Sequence, residues 1–410
     1  MAGMERQRHL TVFGATSFVG QILTRYLYAR FGTDGDLRWA IAGRSERKLR
    51  ELHGSLYPKA TQLPVIVADA ANEQLLRQMC SESQVVVSTV GPYALYGEPL
   101  VKICASTGTD YCDLTGEVQW IRRMIRKYEG AARASGARIV HCCGFDSIPS
   151  DLGVHFLQKQ AMQKYGKTCS RVKLRVKAMR GGASGGTIAS MLNLVKEASA
   201  DAQLRRELAN PYSLCPEGYA PPLIQRNVSR AEYDPDFKSW VSPFVMAAIN
   251  TRIVQRTNAL SNQAYGADFR YDEAVLSGDG FKGRTRAMGT SAGLGAFMTA
   301  AGAAPTRWVL ERFLPAPGEG PSPEEQRNGF FDLRLLGRTA DDRTVQVKVT
   351  GDRDPGYGST GKMLGQAAAC LALDTPRTKT PGGFWTPATI FGDRLIERLT
   401  RYSGLRFEVA

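Results

Sequence analysis

The sequence predicts an α/β protein: an N-terminal doubly wound parallel sheet, an inserted α+β domain, and a C-terminal helical segment returning to the first domain. Three observations predict it. Through the first 150 residues, short apolar runs alternate with helical stretches. A glycine-punctuated turn joins the first run to the first helix. After Pro149 the alternation gives way to longer strands with polar faces and Gly/Pro-rich connections. At 410 residues the chain exceeds what one core usually supports, and the expected units are 1–150, 151–355 and 356–410.

Residues 9–13 read as a buried strand, 21–30 as a helix, and 38–42 as a second strand. Between the first two lie Gly14, Ala15, Thr16, Ser17, Phe18, Val19 and Gly20. Strand, glycine turn and helix form the unit that seats a dinucleotide pyrophosphate on a helix N-terminus. The first glycine permits the tight turn, and the last lets helix and strand approach closely. Ser17 occupies a position where glycine is usual. A carboxylate closing the second strand would bond the ribose 2′-hydroxyl of NAD. This chain has Arg44 instead, followed by Ser45, Arg47 and Lys48, which points to the 2′-phosphate of NADP(H).

Further strands are expected at 63–69, 85–90, 110–114 and 137–142, with helices at 46–57, 72–81, 100–106 and 120–134 between them. Ligands of such sheets lie beyond the carboxyl ends of the strands. The informative rim positions are therefore Gly14 to Gly20, Arg44, Asp69, Val90 to Tyr93, Asp113 to Glu117, and Gly144 to Ser150. Asp69 reads either as a partner for the adenine amine or as a helix N-cap. Gly91 and Pro92 bring backbone toward the nicotinamide ribose.

Beyond Pro149 a helix is expected at 151–165. A strand at 170–179 follows, alternating Val172, Leu174 and Val176 with basic residues on a wet face. Four glycines, Ser184 and Thr187 then separate Arg180 from a helix at 188–200. Free N–H groups there could hold an anion or a developing oxyanion, or simply make a tight connection. Residues 210–238 read as a long irregular excursion. Runs at 269–275, 331–337 and 344–351 look like antiparallel strands. Helices at 360–373 and 388–402 close the chain.

Composition is that of a folded protein, with 43% hydrophobic and 22% charged residues. Eight cysteines without regular spacing suggest neither a disulfide framework nor a metal site, and a reducing cytoplasm fits. No secretory leader or spanning segment is expected. The 53 basic and 39 acidic residues give a charge of +14, but no nucleic-acid motif accompanies it. Arg122, Arg123, Arg126 and Lys127 lie on one predicted helix, as a solvated face or a docking patch for an acidic carrier protein. The segment from Ala287 to Ala304, rich in Gly, Ala, Ser and Thr, reads mainly as buried and tightly packed, with a peripheral lipid contact as the alternative.

Together these features resemble the saccharopine dehydrogenase-like oxidoreductases, and more closely their trans-acting enoyl reductase branch. The matching pieces run from Val12 to Gly20, Ala42 to Arg44 with Lys48, and Val90 to Tyr93. They continue at Tyr111 to Glu117, Gly144 to Asp151, Gly181 to Thr187 and Gly382 to Pro387. The resemblance implies a Rossmann domain, a domain covering the cofactor, and NADPH-linked reduction of a carbon–carbon double bond. The acyl substrate would arrive on a polyketide synthase or an acyl carrier protein.

Such a reaction needs hydride at one carbon, support for an enolate oxygen, and a proton at the neighbouring carbon. Candidates for the oxygen are the backbone N–H groups of Gly185 to Thr187 and the Thr187 hydroxyl, with Ser184 beside them. Tyr93 is a proton-donor candidate or an aromatic lid over the ribose, and Asp146 lies on the same rim. Two alternatives stand beside this reading. One is saccharopine-type C–N chemistry, which needs arginines to clamp carboxylates and finds only Arg180 in a site-like loop. The other is a non-catalytic NADP-binding protein at lipid surfaces. A homodimer is also an option.

Overall fold

A computed structural model describes residues 6–56, 62–181, 185–222, 225–313 and 320–410. The N-terminal unit contains β1 (Arg8–Phe13), α1 (Phe18–Phe31), β2 (Trp39–Gly43), α2 (Glu46–Gly54), β3 (Val65–Val67) and α3 (Glu73–Ser81). It continues with β4 (Ser83–Ser88), α4 (Tyr93–Tyr96), α5 (Glu98–Thr107), β5 (Asp110–Asp113), α6 (Val118–Ser135), β6 (Arg138–Val140) and α7 (Ile148–Tyr165). The strands run β3-β2-β1-β4-β5-β6, all parallel. Helices cover both faces, so β2 and β5 are buried along their whole length, and β2 reads as an unbroken rather than alternating apolar run. Chain direction around the sheet reverses between β1 and β4, and their carboxyl ends open a crevice there.

The second unit holds β7 (Arg171–Arg180), α8 (Gly185–Ala200), α9 (Ala202–Ala209), β8 (Glu232–Asp234), β9 (Ser239–Pro243), α10 (Ala247–Leu260) and β10 (Arg270–Gly278). It continues with α11 (Gly280–Gly302), α12 (Ala304–Phe313), α13 (Pro323–Asn328), β11 (Phe330–Arg338) and β12 (Thr344–Gly351). Its sheet is mixed: β10 pairs parallel with β7, whereas β11 and β12 are antiparallel as expected. The region read as an irregular excursion ends in the β8–β9 hairpin. The basic side of β7 is wet only at its ends, at Arg171 and Lys177. Lys173 and Arg175 are buried, paired with Asp234 at 2.9 and 2.7 Å, and Arg175 also meets Asp272 at 2.6 Å.

The glycine- and alanine-rich segment forms most of α11, and it is not buried. Among its described residues only Gly283, Ala287 and Ala301 are, while Phe281 is 82% exposed. Small side chains let one edge of the helix sit close to its neighbours but leave little surface to cover on the other edge. No helix among the described residues is long and apolar enough to cross a membrane.

After a π-helical turn at Pro355–Ser359, α14 (Thr360–Leu373) returns to pack on α1, β1, β4 and β5. Then come β13 (Gly383–Trp385), α15 (Pro387–Ile390), α16 (Asp393–Tyr402) and β14 (Leu405–Val409). The expected last helix is broken at Gly392, whose φ of +52° suits glycine. The segment is more than helical: β13 extends the parallel sheet beyond β6, and β14 extends the mixed sheet beyond β12. One apolar cluster joins both units, running from Leu10 and Leu23 through Leu152 and Leu364 to Leu174 and Leu335.

Candidate active site

The turn after β1 explains its residues one by one. Gly14 has φ +84°, and a Cβ there would lie 2.7 Å from Val90. A Cβ on Gly20 would lie 2.1 Å from the Gly14 carbonyl oxygen, so α1 can approach β1 only with glycine at this position. Ser17 has ordinary extended backbone, φ −67°, which does not demand glycine. Its Oγ accepts from Gly20 N–H at 2.9 Å and donates to Thr89 Oγ1 at 2.9 Å. Thr89 in turn donates to the Gly14 carbonyl at 2.9 Å, which locks the turn to the end of β4. Ser17 is thus the N-cap of α1. Phe18 and Val19 open the helix, and their N–H groups have no intrahelical acceptor. That is the cradle a pyrophosphate fits, with Thr16 beside it close to Gly43.

At the end of β2, Arg44 is exposed and makes no ion pair among the described residues. Ser45 caps α2 by accepting from Lys48 N–H. Arg47 and Arg50 are held by Glu51 and Glu46 along the helix, so Arg44 and Lys48 are the cations left free for a phosphate. Asp69 is exposed at the end of β3 and accepts from Ala71 N–H at 2.9 Å. The cap of α3 is Asn72 instead.

Beyond the turn opens a cavity of about 340 Å³. Ser17 to Val19, Thr89, Gly91, Tyr93, residues 114–118 and Asp146 form the wall from the parallel sheet. Gly186, Ser190, Met191 and Leu194 of α8, with Met246, Ile249 and Arg252 around α10, form the opposite wall. Met298 of α11 and Tyr357 complete it. The rim residues expected from the sequence and the glycine-loop helix therefore do face one another. Val90 and Pro92 flank Gly91 at the rim, and the Gly91–Pro92 bond is cis.

Two carboxyl groups in this wall behave differently. Glu117 is buried and fully engaged, accepting from Tyr93 N–H at 2.8 Å, Ala94 N–H at 2.9 Å and Ser190 Oγ at 2.8 Å. Burial still raises its pKa above the usual carboxylate value. Asp146 accepts no hydrogen bond from any described residue, and burial alone pushes it up to about 7. Its loop is held by Ser147, a non-glycine residue at φ +87°. Ser147 Oγ donates to Asn250 at 3.0 Å, Asn250 donates to Glu273 at 2.9 Å, and Tyr271 donates to Glu273 at 2.6 Å. Asp146 is thus an acid with no hydrogen-bond partner among the described residues, and burial raises its pKa to about 7.

Two expectations change here. The Tyr93 hydroxyl donates to the Ser88 carbonyl at 2.9 Å, and burial drives its pKa far above 10, so its proton is committed to the sheet backbone. Its ring lines the cavity in the same wall as Asp146. In the glycine loop, Ser184 lies outside the described residues. The Gly185 N–H donates to the Tyr357 hydroxyl at 3.1 Å, so that candidate donor is already engaged. Thr187 lies in the first turn of α8.

The basic cluster on α6 is partly neutralised. Arg122 and Arg126 share Glu207, Arg123 pairs with Glu197, and Lys127 with Glu98. These pairs tie α8 and α9 to α6 and leave Arg123, Arg126 and Lys127 about half exposed. Arg180, the one arginine expected near the site, ends β7 and is absent from the cavity wall. Arg252 is the arginine that lines it, and nothing in the local sequence marks it out.

Comparison with known proteins agrees with this geometry. Residues 10–140 match the family described as "Saccharopine dehydrogenase NADP binding domain". A trans-acting enoyl reductase of Mycobacterium tuberculosis is 38% identical over 97% of both chains. One of Mycobacterium ulcerans is 36% identical over 97% of both. Among solved structures, apo saccharopine dehydrogenase (L-Glu forming) of Saccharomyces cerevisiae superimposes with a TM-score of 0.53 at 13% identity. The match covers 98% of this chain and 100% of that one, and shows a shared fold.

Proposed function

The chain belongs to the trans-acting enoyl reductases of the saccharopine dehydrogenase-like oxidoreductases, and from that premise we propose how its cavity reduces an enoyl thioester. The chain is an NADP-dependent oxidoreductase. The turn from Gly14 to Gly20, with Thr16, Ser17, Phe18 and Val19, holds the pyrophosphate of NADPH. Arg44, Ser45 and Lys48 hold its 2′-phosphate, with Asp69 at the adenine end. Val90, Gly91 and Pro92 border the nicotinamide ribose. The fit rests on the glycine positions that exclude a Cβ, the unbonded first-turn N–H groups and the free cations at the end of β2.

Bound NADPH supplies a hydride to the β-carbon of a conjugated double bond. The π electrons then move toward the thioester oxygen, and the protein must complete the reaction at the α-carbon. Asp146 donates the proton there, leaving a saturated thioester and an Asp146 carboxylate that recovers its proton from water. The observation that carries this reading is Asp146 itself, an unpartnered cavity-wall acid whose pKa of about 7 suits a general acid at neutral pH. The mostly aliphatic far wall — Met191, Leu194, Met246, Ile249 and Met298 — suits an acyl chain.

The substrate reaches the cavity as an acyl group on a separate carrier, such as a polyketide synthase, in keeping with the name of the relatives. The test is NADPH oxidation with one enoyl group presented free, as a short thioester and on an acyl carrier protein. Turnover rising in that order is expected. Reduction of an imine formed from an amino acid and a keto acid, with no reduction of enoyl thioesters, would overturn the reading in favour of C–N chemistry.

A further inference from the structure

Four arginines are buried among the described residues: Arg138, Arg175, Arg252 and Arg256. Three have a carboxylate partner. Arg138 pairs with Asp110 at 2.5 Å, Arg175 with Asp272 at 2.6 Å, and Arg256 with Glu129 at 3.9 Å. Arg252 has none. Its Nε donates to Ser213 Oγ at 3.2 Å, one terminal nitrogen donates to the Ala248 carbonyl, and the other to the Leu208 carbonyl. Those three bonds fix the plane of the guanidinium. They leave one N–H on each terminal nitrogen without an acceptor among the described residues. Burial pulls its pKa down to about 10, and no acid opposes that shift.

A buried cation with neither counter-charge nor full hydrogen bonding is costly, and a fold retains one where a ligand supplies the missing partner. Arg252 lines the same cavity as Asp146, in a wall that is otherwise mostly apolar. Gly116 lies beside both Asp146 and Ile249, which stands one turn of α10 before Arg252. A Cβ built on Gly116 would lie 3.0 Å from Asp146 Oδ2 and 3.9 Å from Ile249 Cγ2. Arg252 follows Ile249 by three residues, about 4.5 Å along the axis and on the same face of α10.

We propose that Arg252 is the binding site for the acyl oxygen of the substrate, the carbonyl that turns into an enolate as the double bond is reduced. This rests on the enoyl-reductase reading of the cavity. With the α-carbon assigned to Asp146, the oxygen bonded one carbon further is assigned to the two remaining N–H groups of Arg252, which lines the same cavity. The guanidinium stabilises charge that develops on the oxygen and transfers no proton, so the electron and proton balance set out above is unchanged. It takes the role that the Gly185 N–H, engaged by Tyr357, does not.

The test has two arms. In the first, Arg252→Met and Arg252→Lys are compared with the native chain for NADPH affinity, kcat and KM on an enoyl thioester. Arg252→Met should lower kcat on the order of 100-fold and leave NADPH affinity within about twofold, and added ethylguanidinium should restore part of the rate. Arg252→Lys, which keeps the charge, should lose less. A kcat within threefold of the native value in Arg252→Met, or a loss that falls on NADPH affinity alone, overturns the proposal. The second arm uses the native chain with NADP+ and does not depend on turnover or on a variant folding. Octanoate should bind at least tenfold more tightly than octanol, because only the carboxylate satisfies the buried guanidinium. Equal affinities overturn the proposal. If enoyl thioesters are not reduced at all, the enzymatic reading fails while this second arm still reports on Arg252.

Discussion

The Glu117 carboxylate accepts a 2.8 Å hydrogen bond from the Ser190 hydroxyl, joining the rim of the parallel sheet to the helix that covers the cavity. The same carboxylate caps α4 through the N–H groups of Tyr93 and Ala94. One side chain thus sets both the floor and the cover of the cavity. In Glu117→Gln, an amide NH2 must face one of these donors. The variant should be destabilised by about 1–3 kcal/mol, read by urea unfolding. Ser190→Ala should cost less stability but expose α8 to protease at lower enzyme doses. Unchanged unfolding in Glu117→Gln would mean that the contact does not hold the cover.

Arg44 should set cofactor choice. Losing a charge-assisted bond to the 2′-phosphate costs about 1.5–3 kcal/mol, so Arg44→Ala should weaken NADPH binding about 10- to 100-fold and leave NADH unchanged. Arg47→Ala is the control, because Glu51 already holds that guanidinium. Titration of intrinsic fluorescence with each dinucleotide checks both variants. Equal losses for NADPH and NADH would remove Arg44 from the phosphate site.

The turn itself separates two glycine-like positions. Ser17→Gly should bind NADPH within a few-fold of the native chain and lose only a few tenths of a kcal/mol, since glycine is an acceptable N-cap. Gly20→Ala should abolish binding or folding, because its methyl would sit 2.1 Å from the Gly14 carbonyl oxygen. Dinucleotide titration and thermal melting distinguish these outcomes.

Asp146 links activity to stability with opposite signs. Its pKa is about 7 in the fold against an ordinary 3.8, so the folded state holds more protons between those values. The stability it contributes is fully present below about pH 4 and is lost as pH rises through about 7. Asp146→Asn should therefore gain about 1–3 kcal/mol over the native chain at pH 8 and little at pH 4. Its kcat should fall 100-fold or more, and native kcat should decline above pH 7. Melting and rate profiles against pH check both halves.

The dinucleotide half of the site was legible because its signals are local. Gly14, Ser17, Gly20 and Arg44 lie within one strand–helix–strand unit, where spacing alone carries the geometry. Asp146 and Glu117 were legible as rim positions but not in role, since their difference lies in hydrogen bonds from distant residues. The far wall was not legible. Arg252 becomes unusual only once the acids of the described residues have been placed and none of them pairs with it. The same non-locality hides the partners of the α6 cluster, where Arg126 meets a glutamate 81 residues away. In α11, small residues were read as close packing when they left a surface exposed.

The most direct test follows the hydride and the proton separately. A carrier-bound enoyl thioester is reduced with NADPH deuterated at the transferred position, in ordinary water, and the product is analysed by mass spectrometry. One deuterium on the β-carbon and a solvent-derived hydrogen on the α-carbon is the predicted result. No saturated thioester from any enoyl carrier substrate, despite bound NADPH, would contradict the account.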